Sequence, residues 1–312
     1  MTNVAVSADA AEINTGSETF IPFHVTTRDG LRLYARHYPA RSPCGRRPLL
    51  CLAGLTRNSR DFHDLAAALA THAESPRDVY TLDTRGRGHS EHDKDWRNYS
   101  VPVELNDAID MMTACELADV ALIGTSRGGL IAMVMAAVQP TAIGVMILND
   151  IGPVVERDGL LRIASYVGKT PAPNSWVHAG KLAAEINRRQ FPRIGDDHWA
   201  MIARQWFNDR NGRPVPSYDS KLSRALSVMD GPMPELWAQF KATTRVPLLV
   251  IRGANSDILS QQTLEQMSAR HPNMYSLVVA EEGHAPLLHD QETQNAIAQF
   301  LAQTDYDYGN RG

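Results

Sequence analysis

A short apolar run that breaks at a serine flanked by glycines constrains the fold of this chain most. The run covers residues 120–123, the motif Gly-Thr-Ser-Arg-Gly covers residues 124–128, and an apolar stretch rich in small side chains follows over 130–138. A run too short for a helix, then a glycine turn, then a longer apolar stretch predicts strand, tight turn and helix. Ser126 then lies at the apex of the turn, where the glycines leave room for the helix to pack beneath it.

The composition is that of an ordinary globular chain. It has 312 residues, of which 43% are hydrophobic and 21% charged, and its net charge is −4. This charge gives no reason to expect nucleic acid or an anionic membrane as a partner. Three cysteines without metal-ligand spacing, Cys44, Cys51 and Cys115, fit a reducing compartment better than a disulfide framework, and the last two lie in apolar segments typical of a core.

Targeting signals are not evident in the sequence. Residues 1–16 lack both a basic start and an apolar core, so we do not expect a signal peptide, and no stretch approaches the roughly twenty apolar residues of a membrane span. The expected location is cytoplasmic, and the sequence gives no oligomeric state.

Strand and helix patterns alternate along most of the chain. Continuous apolar runs such as 48–54, 142–148 and 247–253 are typical of strands buried on both faces of a parallel sheet. The pattern predicts a doubly wound, mostly parallel eight-stranded α/β sheet, whose ligands bind beyond the carboxyl ends of the strands. We expect the two parts of this core at 18–153 and 246–304, with flexible tails at 1–17 and 305–312.

The rhythm changes over residues 154–245, where helical patterns are separated by prolines and glycines and no clear strand is visible. We interpret this region as a helical insertion that lies over the sheet as a lid. Its aromatic side chains could either form a small core of their own or line a pocket. They are Trp176, Trp199, Trp206, Phe207, Trp237 and Phe240.

A serine hydroxyl needs an adjacent base and a third group that orients the base. His284 follows the last predicted strand, whereas its closest rival, His89, precedes the serine in the chain. Asp257 leaves the strand just before that of His284. We therefore expect Ser126, Asp257 and His284 to meet at one edge of the sheet.

These residues resemble those of the α/β-hydrolase fold family, over essentially all of residues 20–303. The order Ser126, Asp257, His284 matches the family order of nucleophile, acid and histidine. The resemblance also leaves an alternative acid, Asp150, because some members supply the acid from the end of the sixth strand.

The resemblance further implies an oxyanion hole formed by the backbone N–H groups of Leu55 and Arg127. The family often has His-Gly at the end of the third strand, whereas this chain has Ala53-Gly54. Which side chain braces this loop is therefore open, and the candidates are Thr56, Arg57 and Asn58.

Arg57 and Asn58 are also possible substrate-binding residues. The guanidinium groups of Arg57 and Arg127 could hold a substrate carboxylate, although pairing with a nearby carboxylate side chain is the preferred interpretation for both.

The expected activity is hydrolysis of an ester-type bond in a small organic substrate through an acyl-enzyme, without a metal or an organic cofactor. A serine nucleophile does not separate carboxylesterases from lactonases, carbon–carbon bond hydrolases or perhydrolases. A non-catalytic ligand receptor on the same scaffold is the alternative from another class.

Overall fold

The apolar runs predicted as strands pair into one sheet. The computed structural model describes residues 6–7, 19–42, 45–227 and 234–309. The strands of the sheet are β1 (Val6–Ser7), β2 (Ile21–Thr26), β3 (Arg32–Tyr38), β4 (Leu49–Leu52), β5 (Val79–Leu82), β6 (Val120–Thr125), β7 (Ile143–Asn149), β10 (Leu248–Gly253) and β11 (Met274–Val279), and a separate hairpin comprises β8 (Phe207–Arg210) and β9 (Arg213–Pro216).

The order of strands in the sheet is β1-β2-β3-β5-β4-β6-β7-β10-β11. In this spatial order, the first four strands, β1, β2, β3 and β5, pair antiparallel. From β5 onward, through β4, β6, β7 and β10 to β11, neighbouring strands pair in parallel. The predicted mostly parallel sheet of eight strands is thus confirmed. The short strand β1, inside the predicted N-terminal tail, extends it at one edge by pairing with β2.

Helices cover both faces because the central strands are apolar on both sides. In β6, Val120 and Leu122 belong to one buried cluster, and Ala121 and Ile123 belong to the other. The helices are α1 (His63–Ala70), α2 (Val101–Ala114), α3 (Arg127–Val138), α4 (Arg157–Tyr166), α5 (Trp176–Asn187), α6 (Asp196–Trp206), α7 (Leu222–Ser227), α8 (Trp237–Thr243), α9 (Gln261–Arg270) and α10 (Gln291–Gly309).

The region between β7 and β10, residues 154–245, is hereafter called the insertion. It holds helices α4 to α8, as its periodicity predicts, but the expectation that it lacks strands is wrong, because β8 and β9 form an antiparallel hairpin. Two prolines in β9 and the polar sequence of β8 hide the alternation that indicates a strand.

The insertion has a small core of its own. Trp199 is fully buried and packs edge-to-face against Phe191 and Trp206. Phe240 instead joins the main core of the sheet, with Trp237 packed against it. The aromatic residues of the insertion therefore divide among its own core, the main core and the cavity described below.

Cys51 is buried in the sheet, as predicted, and Cys115 is partly buried against the core. Cys44 lies outside the described residues, as does most of the predicted N-terminal tail. Among the residues that the structure describes, no helix combines the length and the apolar character needed to cross a bilayer.

Candidate active site

Ser126 occupies a sharp turn between β6 and α3. Its φ is 51° and its ψ is −111°, and a residue other than glycine rarely has a positive φ. A Cβ atom built on Gly124 would lie 2.5 Å from the carbonyl group of Gly128, and one built on Gly128 would lie 2.1 Å from the carbonyl oxygen of Leu52. Only glycine fits at either position, so the two glycines allow α3 to pack closely behind Ser126.

The imidazole of His284 lies between Ser126 and a carboxylate. Its Nε2 is 2.8 Å from Oγ of Ser126, and its Nδ1 is 2.7 Å from Oδ2 of Asp150. The His284 side chain is 7% exposed and that of Asp150 is fully buried, so both contacts are shielded from water. When Nδ1–H donates to the carboxylate, Nε2 is free to accept the hydroxyl proton of Ser126. The arrangement can therefore activate the serine as a nucleophile.

The carboxylate beside His284 is that of Asp150, so the expected placement of Asp257 there is wrong. Asp150 directly follows β7, and Asn149 pairs with Thr125 of β6, which places Asp150 level with Ser126 on the adjacent strand. The strand β10, which precedes Asp257, lies one position further from β6 in the sheet. Strand order, which the sequence does not contain, decides between the two aspartates.

Asp257 is instead part of a contact between the core and the insertion. Nε and Nη2 of Arg162, on α4, donate to its two carboxylate oxygens at 2.6 and 2.9 Å. Burial opposes ionisation of Asp257, but the hydrogen bonds from Arg162 and Gln190, together with the positive charge of Arg162, lower its pKa. Asp257 thus acts as the anionic partner of an arginine.

The carboxylate of Asp150 is itself held in place. Its Oδ1 accepts a hydrogen bond from the backbone N–H of Gly253 at 2.9 Å, and its Oδ2 accepts one from the hydroxyl of Ser256 at 2.5 Å. These contacts fix the carboxylate in the orientation that meets His284. Sequence reasoning missed Ser256, because a serine in a polar loop carries no local signal of this role.

Leu55 and Arg127, the expected oxyanion-hole residues, border the serine. Arg127 is the first residue of α3, so its N–H has no acceptor within the helix. Leu55 lines the same cavity as Ser126. A Cβ atom built on Gly54 would lie 3.7 Å from Cβ of Ser126, which shows how closely this loop passes the nucleophile.

The loop of Leu55 is braced by a buried arginine that sequence reasoning missed. Nε of Arg87 donates to the carbonyl oxygen of Leu55 at 2.8 Å, and Nη1 donates to the carbonyl oxygen of Arg85 at 2.7 Å. The side chain of Arg87 is fully buried. The three candidates for this role in the sequence were Thr56, Arg57 and Asn58.

A single carboxylate joins this brace to the turn of the nucleophile. Oε1 of Glu104 is 2.7 Å from Nη1 of Arg87, and Oε2 accepts a hydrogen bond from Nε of Arg127 at 2.7 Å. Nη2 of Arg127 also donates to the carbonyl oxygen of Tyr99 at 3.2 Å. The side chain of Arg127 is therefore engaged in structural pairing, the preferred interpretation from the sequence.

A cavity of about 160 Å³ opens beside Ser126, between the sheet edge and the insertion. Its walls are mostly apolar. The insertion contributes Ile163, Pro171, Leu182, Ile186, Phe191, Trp206 and Phe207, and the core contributes Leu55, Phe62, Pro286 and Leu287. Trp206 and Phe207 are the two residues, among the six aromatics singled out in the sequence, that line this cavity.

Arg57 lies in the cavity wall as half of an ion pair. Its Nε and Nη2 donate to Asp61 at 2.6 and 2.8 Å, and its guanidinium lies 3.6 Å above the ring of Trp206. Burial lowers the pKa of Arg57 and raises that of Asp61, while each charge stabilises the other. Pairing with a carboxylate is again the preferred interpretation from the sequence, but here the pair also faces the cavity.

Asn58 does not line the cavity, contrary to its possible role in substrate binding. It is fully buried, and its amide donates to the carbonyl oxygen of Gln205 at 3.0 Å and to the hydroxyl of Ser217 at 3.1 Å, both in the insertion. Its Oδ1 also accepts from the N–H of Arg60 and so caps the 3₁₀ turn before α1. Asn58 therefore attaches the insertion to the core.

The sequence and the fold of this chain are similar to those of known proteins. The sequence model of a family described as "Alpha/beta hydrolase family" matches residues 49–296. The chain belongs to this family. Among its alpha/beta hydrolase relatives, a 3-hydroxybutyrate-oligomer hydrolase from Cupriavidus necator is 31% identical over 265 residues, which cover 82% of this chain and 88% of that protein.

Solved structures of alpha/beta hydrolases also resemble this chain. One from Novosphingobium aromaticivorans has a TM-score of 0.85 and 36% identity, and the match covers 92% of this chain and 100% of that one. The structure of E-2-(acetamidomethylene)succinate hydrolase has a TM-score of 0.74 and 22% identity, covers 91% of this chain and 99% of that one, and supports the fold alone. Each of these similar proteins is named as a hydrolase.

Proposed function

We propose that the protein is a serine hydrolase that cleaves a carboxylic ester bond of a small organic substrate. The observation that carries this proposal is the chain of hydrogen bonds from Ser126 through His284 to Asp150, at 2.8 and 2.7 Å, beside a mostly apolar cavity. A serine with such a base and such an orienting carboxylate is suited to attack a carbonyl carbon.

In the proposed mechanism, His284 Nε2 removes the hydroxyl proton as Oγ of Ser126 attacks the ester carbonyl. The negative charge on the carbonyl oxygen is held by the backbone N–H groups of Leu55 and Arg127. His284 then gives its proton to the leaving alcohol, and an acyl-enzyme remains. Water, deprotonated by His284, attacks the acyl carbon, and collapse of the second intermediate returns the proton to Ser126 and releases the acid.

The cavity favours a short acyl group. Its volume of about 160 Å³ accommodates a chain of a few carbons, and the two opposite charges in its wall, Arg57 and Asp61, are paired with each other. The relative named for hydrolysis of 3-hydroxybutyrate oligomers makes short hydroxyacid esters a suitable first class to test. We therefore propose short aliphatic and hydroxyacid esters as substrates.

The test combines active-site labelling with a substrate panel. A fluorophosphonate should modify Ser126, and the protein should hydrolyse nitrophenyl esters of short acids faster than those of long ones. Ser126→Ala should abolish labelling and lower kcat by at least about 10⁴-fold, since the nucleophile is lost. Ser220→Ala removes an exposed serine of the insertion and serves as the control, with both properties retained.

The panel also includes lactones, diketones and 3-hydroxybutyrate oligomers. A preference for lactones or diketones over esters would replace the ester assignment by a lactonase or a carbon–carbon bond hydrolase. Folded protein that neither labels nor hydrolyses any of them would overturn the hydrolase proposal in favour of a ligand receptor.

A further inference from the structure

We infer that Glu104, acting through Arg87 and Arg127, is a positioning residue for the oxyanion hole, an inference that rests on the proposed function. The two backbone N–H groups of the hole come from segments far apart in the sequence, the loop after β4 and the start of α3. Glu104 contacts an arginine on each side, because it forms an ion pair with Arg87, which holds the loop after β4, and accepts a hydrogen bond from Arg127 at the start of α3.

The contacts of Glu104 lead to both halves of the hole. One oxygen holds Arg87, whose Nε donates to the carbonyl oxygen of Leu55 at 2.8 Å. The other oxygen holds the side chain of Arg127, the residue that follows the nucleophile, at 2.7 Å. Displacement of the carboxylate would therefore remove the anionic partner of both arginines at once.

The backbone around Leu55 is fixed at two points. The N–H of Arg57 donates to the carbonyl oxygen of Gly54 at 3.1 Å, and this carbonyl belongs to the same peptide unit as the N–H of Leu55. Arg87 holds the next peptide unit through the carbonyl oxygen of Leu55. Without Arg87 the Leu55 carbonyl loses this hydrogen bond, and the direction of the neighbouring N–H group becomes less well defined.

A carboxylate is required at this position for a chemical reason. Glu104 is fully buried, accepts a hydrogen bond from Arg127 and forms an ion pair with Arg87, and each of these guanidinium groups offers only donors. A glutamine keeps one acceptor oxygen but turns its NH₂ toward one of the arginines. The substitution Glu104→Gln therefore breaks one of the two contacts and leaves two buried cations without their shared anion.

The experiment compares Glu104→Gln with a matched control, Asp107→Asn. Asp107 lies one turn further along α2, is equally buried, and accepts two hydrogen bonds from Arg85 at 2.7 and 2.6 Å. Among the described residues it forms no hydrogen bond with Leu55 or Arg127. Burial raises the pKa of Asp107 to about 6, so measurements at pH 8 keep it ionised.

Glu104→Gln should lower kcat for a short-chain nitrophenyl ester by about 10- to 100-fold with KM within about 2-fold, since the oxyanion exists only in the transition state. The inhibition constant of a phenylboronic acid, whose tetrahedral adduct mimics that state, should rise in parallel. Asp107→Asn should lower the thermal midpoint about as much as Glu104→Gln does. It should nevertheless keep kcat within about 3-fold of the wild type.

Arg87→Lys provides a second variant that keeps a cation opposite Glu104 and loses the link to Leu55. It should reproduce the kcat loss and the weaker boronate binding even if Glu104→Gln does not fold. If the wild type is active but Glu104→Gln or Arg87→Lys is indistinguishable from Asp107→Asn in kcat and boronate binding, this inference is overturned and the proposed function stands. A wild type that neither labels nor hydrolyses would overturn the proposed function, and this inference with it.

Discussion

The carboxyl edge of the sheet and the insertion are built by different physical means. At the sheet edge, Ser126, Asp150 and the loop of His284 follow strands whose parallel pairing fixes their relative positions. The insertion is attached by a few apolar side chains that join the main core, such as Phe240, and by polar contacts such as those of Asn58 with Gln205 and Ser217. The difference indicates that the sheet fixes the reacting atoms, whereas the insertion shapes the space around them.

Two hydrogen bonds to Gln190 join the two regions next to the histidine. Gln190, in the insertion, accepts a hydrogen bond from the backbone N–H of His284 at 3.3 Å, and its own carbonyl oxygen accepts one from Asn255 at 3.0 Å. The insertion therefore also supports the histidine loop from outside. Substitutions at the sheet edge should still change mainly kcat, whereas substitutions in the insertion should change mainly substrate preference.

The largest difference in kcat is expected between substitutions of the two aspartates that the sequence left as alternatives. Asp150→Asn should lower kcat by about 10³- to 10⁴-fold, because an amide cannot stabilise the imidazolium of His284 and favours the wrong tautomer. Asp257→Asn weakens a partly exposed pair with Arg162 and a hydrogen bond with Gln190, and should change kcat by less than about 3-fold. Steady-state hydrolysis of one short-chain ester by both variants makes the comparison.

Circular dichroism spectra of both variants control for folding. If Asp257→Asn lost activity as strongly as Asp150→Asn, the assignment of the orienting carboxylate to Asp150 would be refuted.

The sheet and the turn at Ser126 could be predicted because their signals are local. Apolar runs of strand length and glycines around a serine carry both signals within a few residues. The choice of Asp150 over Asp257 could not be made in the same way, because it depends on which strand lies beside β6. Arg87 was missed for a related reason, since its role depends on a contact with Leu55 that is distant in the sequence.

The insertion was predicted less completely because its structure depends on few local signals. The periodicity of α4 to α8 was visible, but β8 and β9 have only four residues each and carry charges and prolines. Trp206 lies at the edge of the insertion's own core and also lines the cavity, where it packs against Arg57, and this position has no signature in the sequence.

A smaller effect is expected for the insertion wall of the cavity. Trp206→Ala removes the ring beneath Arg57 and enlarges the cavity, so kcat/KM for an acetyl ester should fall by about 10-fold, corresponding to about 1.4 kcal/mol. The loss should be smaller for an octanoyl ester, because the longer chain fills the new space. Rates measured over a series of nitrophenyl esters from two to eight carbons would reveal this change in preference.

Trp237→Ala is the matched control for Trp206→Ala. Trp237 also belongs to the insertion, but it packs against Phe240 and beneath the guanidinium of Arg270 rather than in the cavity wall. Its substitution should leave the chain-length preference unchanged. The same shift in both variants would show that the insertion acts as a whole, and that Trp206 has no separate part in substrate selection.

The smallest effect should be a pH-dependent change in stability at the histidine loop. Oε2 of Glu282 accepts a hydrogen bond from the N–H of Leu287 at 2.8 Å, and burial raises the pKa of Glu282 to about 7. The folded state therefore holds this proton more tightly than the unfolded chain does. The resulting stabilisation is complete below the unfolded pKa of about 4.5 and is lost as the pH rises through about 7.

Glu282→Gln removes this titration and keeps an oxygen that can accept from Leu287. The variant should exceed the wild type by about 1 kcal/mol in free energy of unfolding at pH 8, a gain of about 2–4 °C in thermal midpoint, and the advantage should vanish near pH 5. Glu282→Ala, which also loses the acceptor, should show less gain at pH 8 and a deficit at pH 5. Thermal midpoints of all three proteins are measured between pH 5 and 8. A difference in midpoint between Glu282→Gln and the wild type that stays constant across this range would contradict titration of Glu282 as the cause. Because Glu282 lies two residues before His284, a pH-dependent gain in stability for Glu282→Gln would also separate the stability of the loop from the chemistry that its histidine performs.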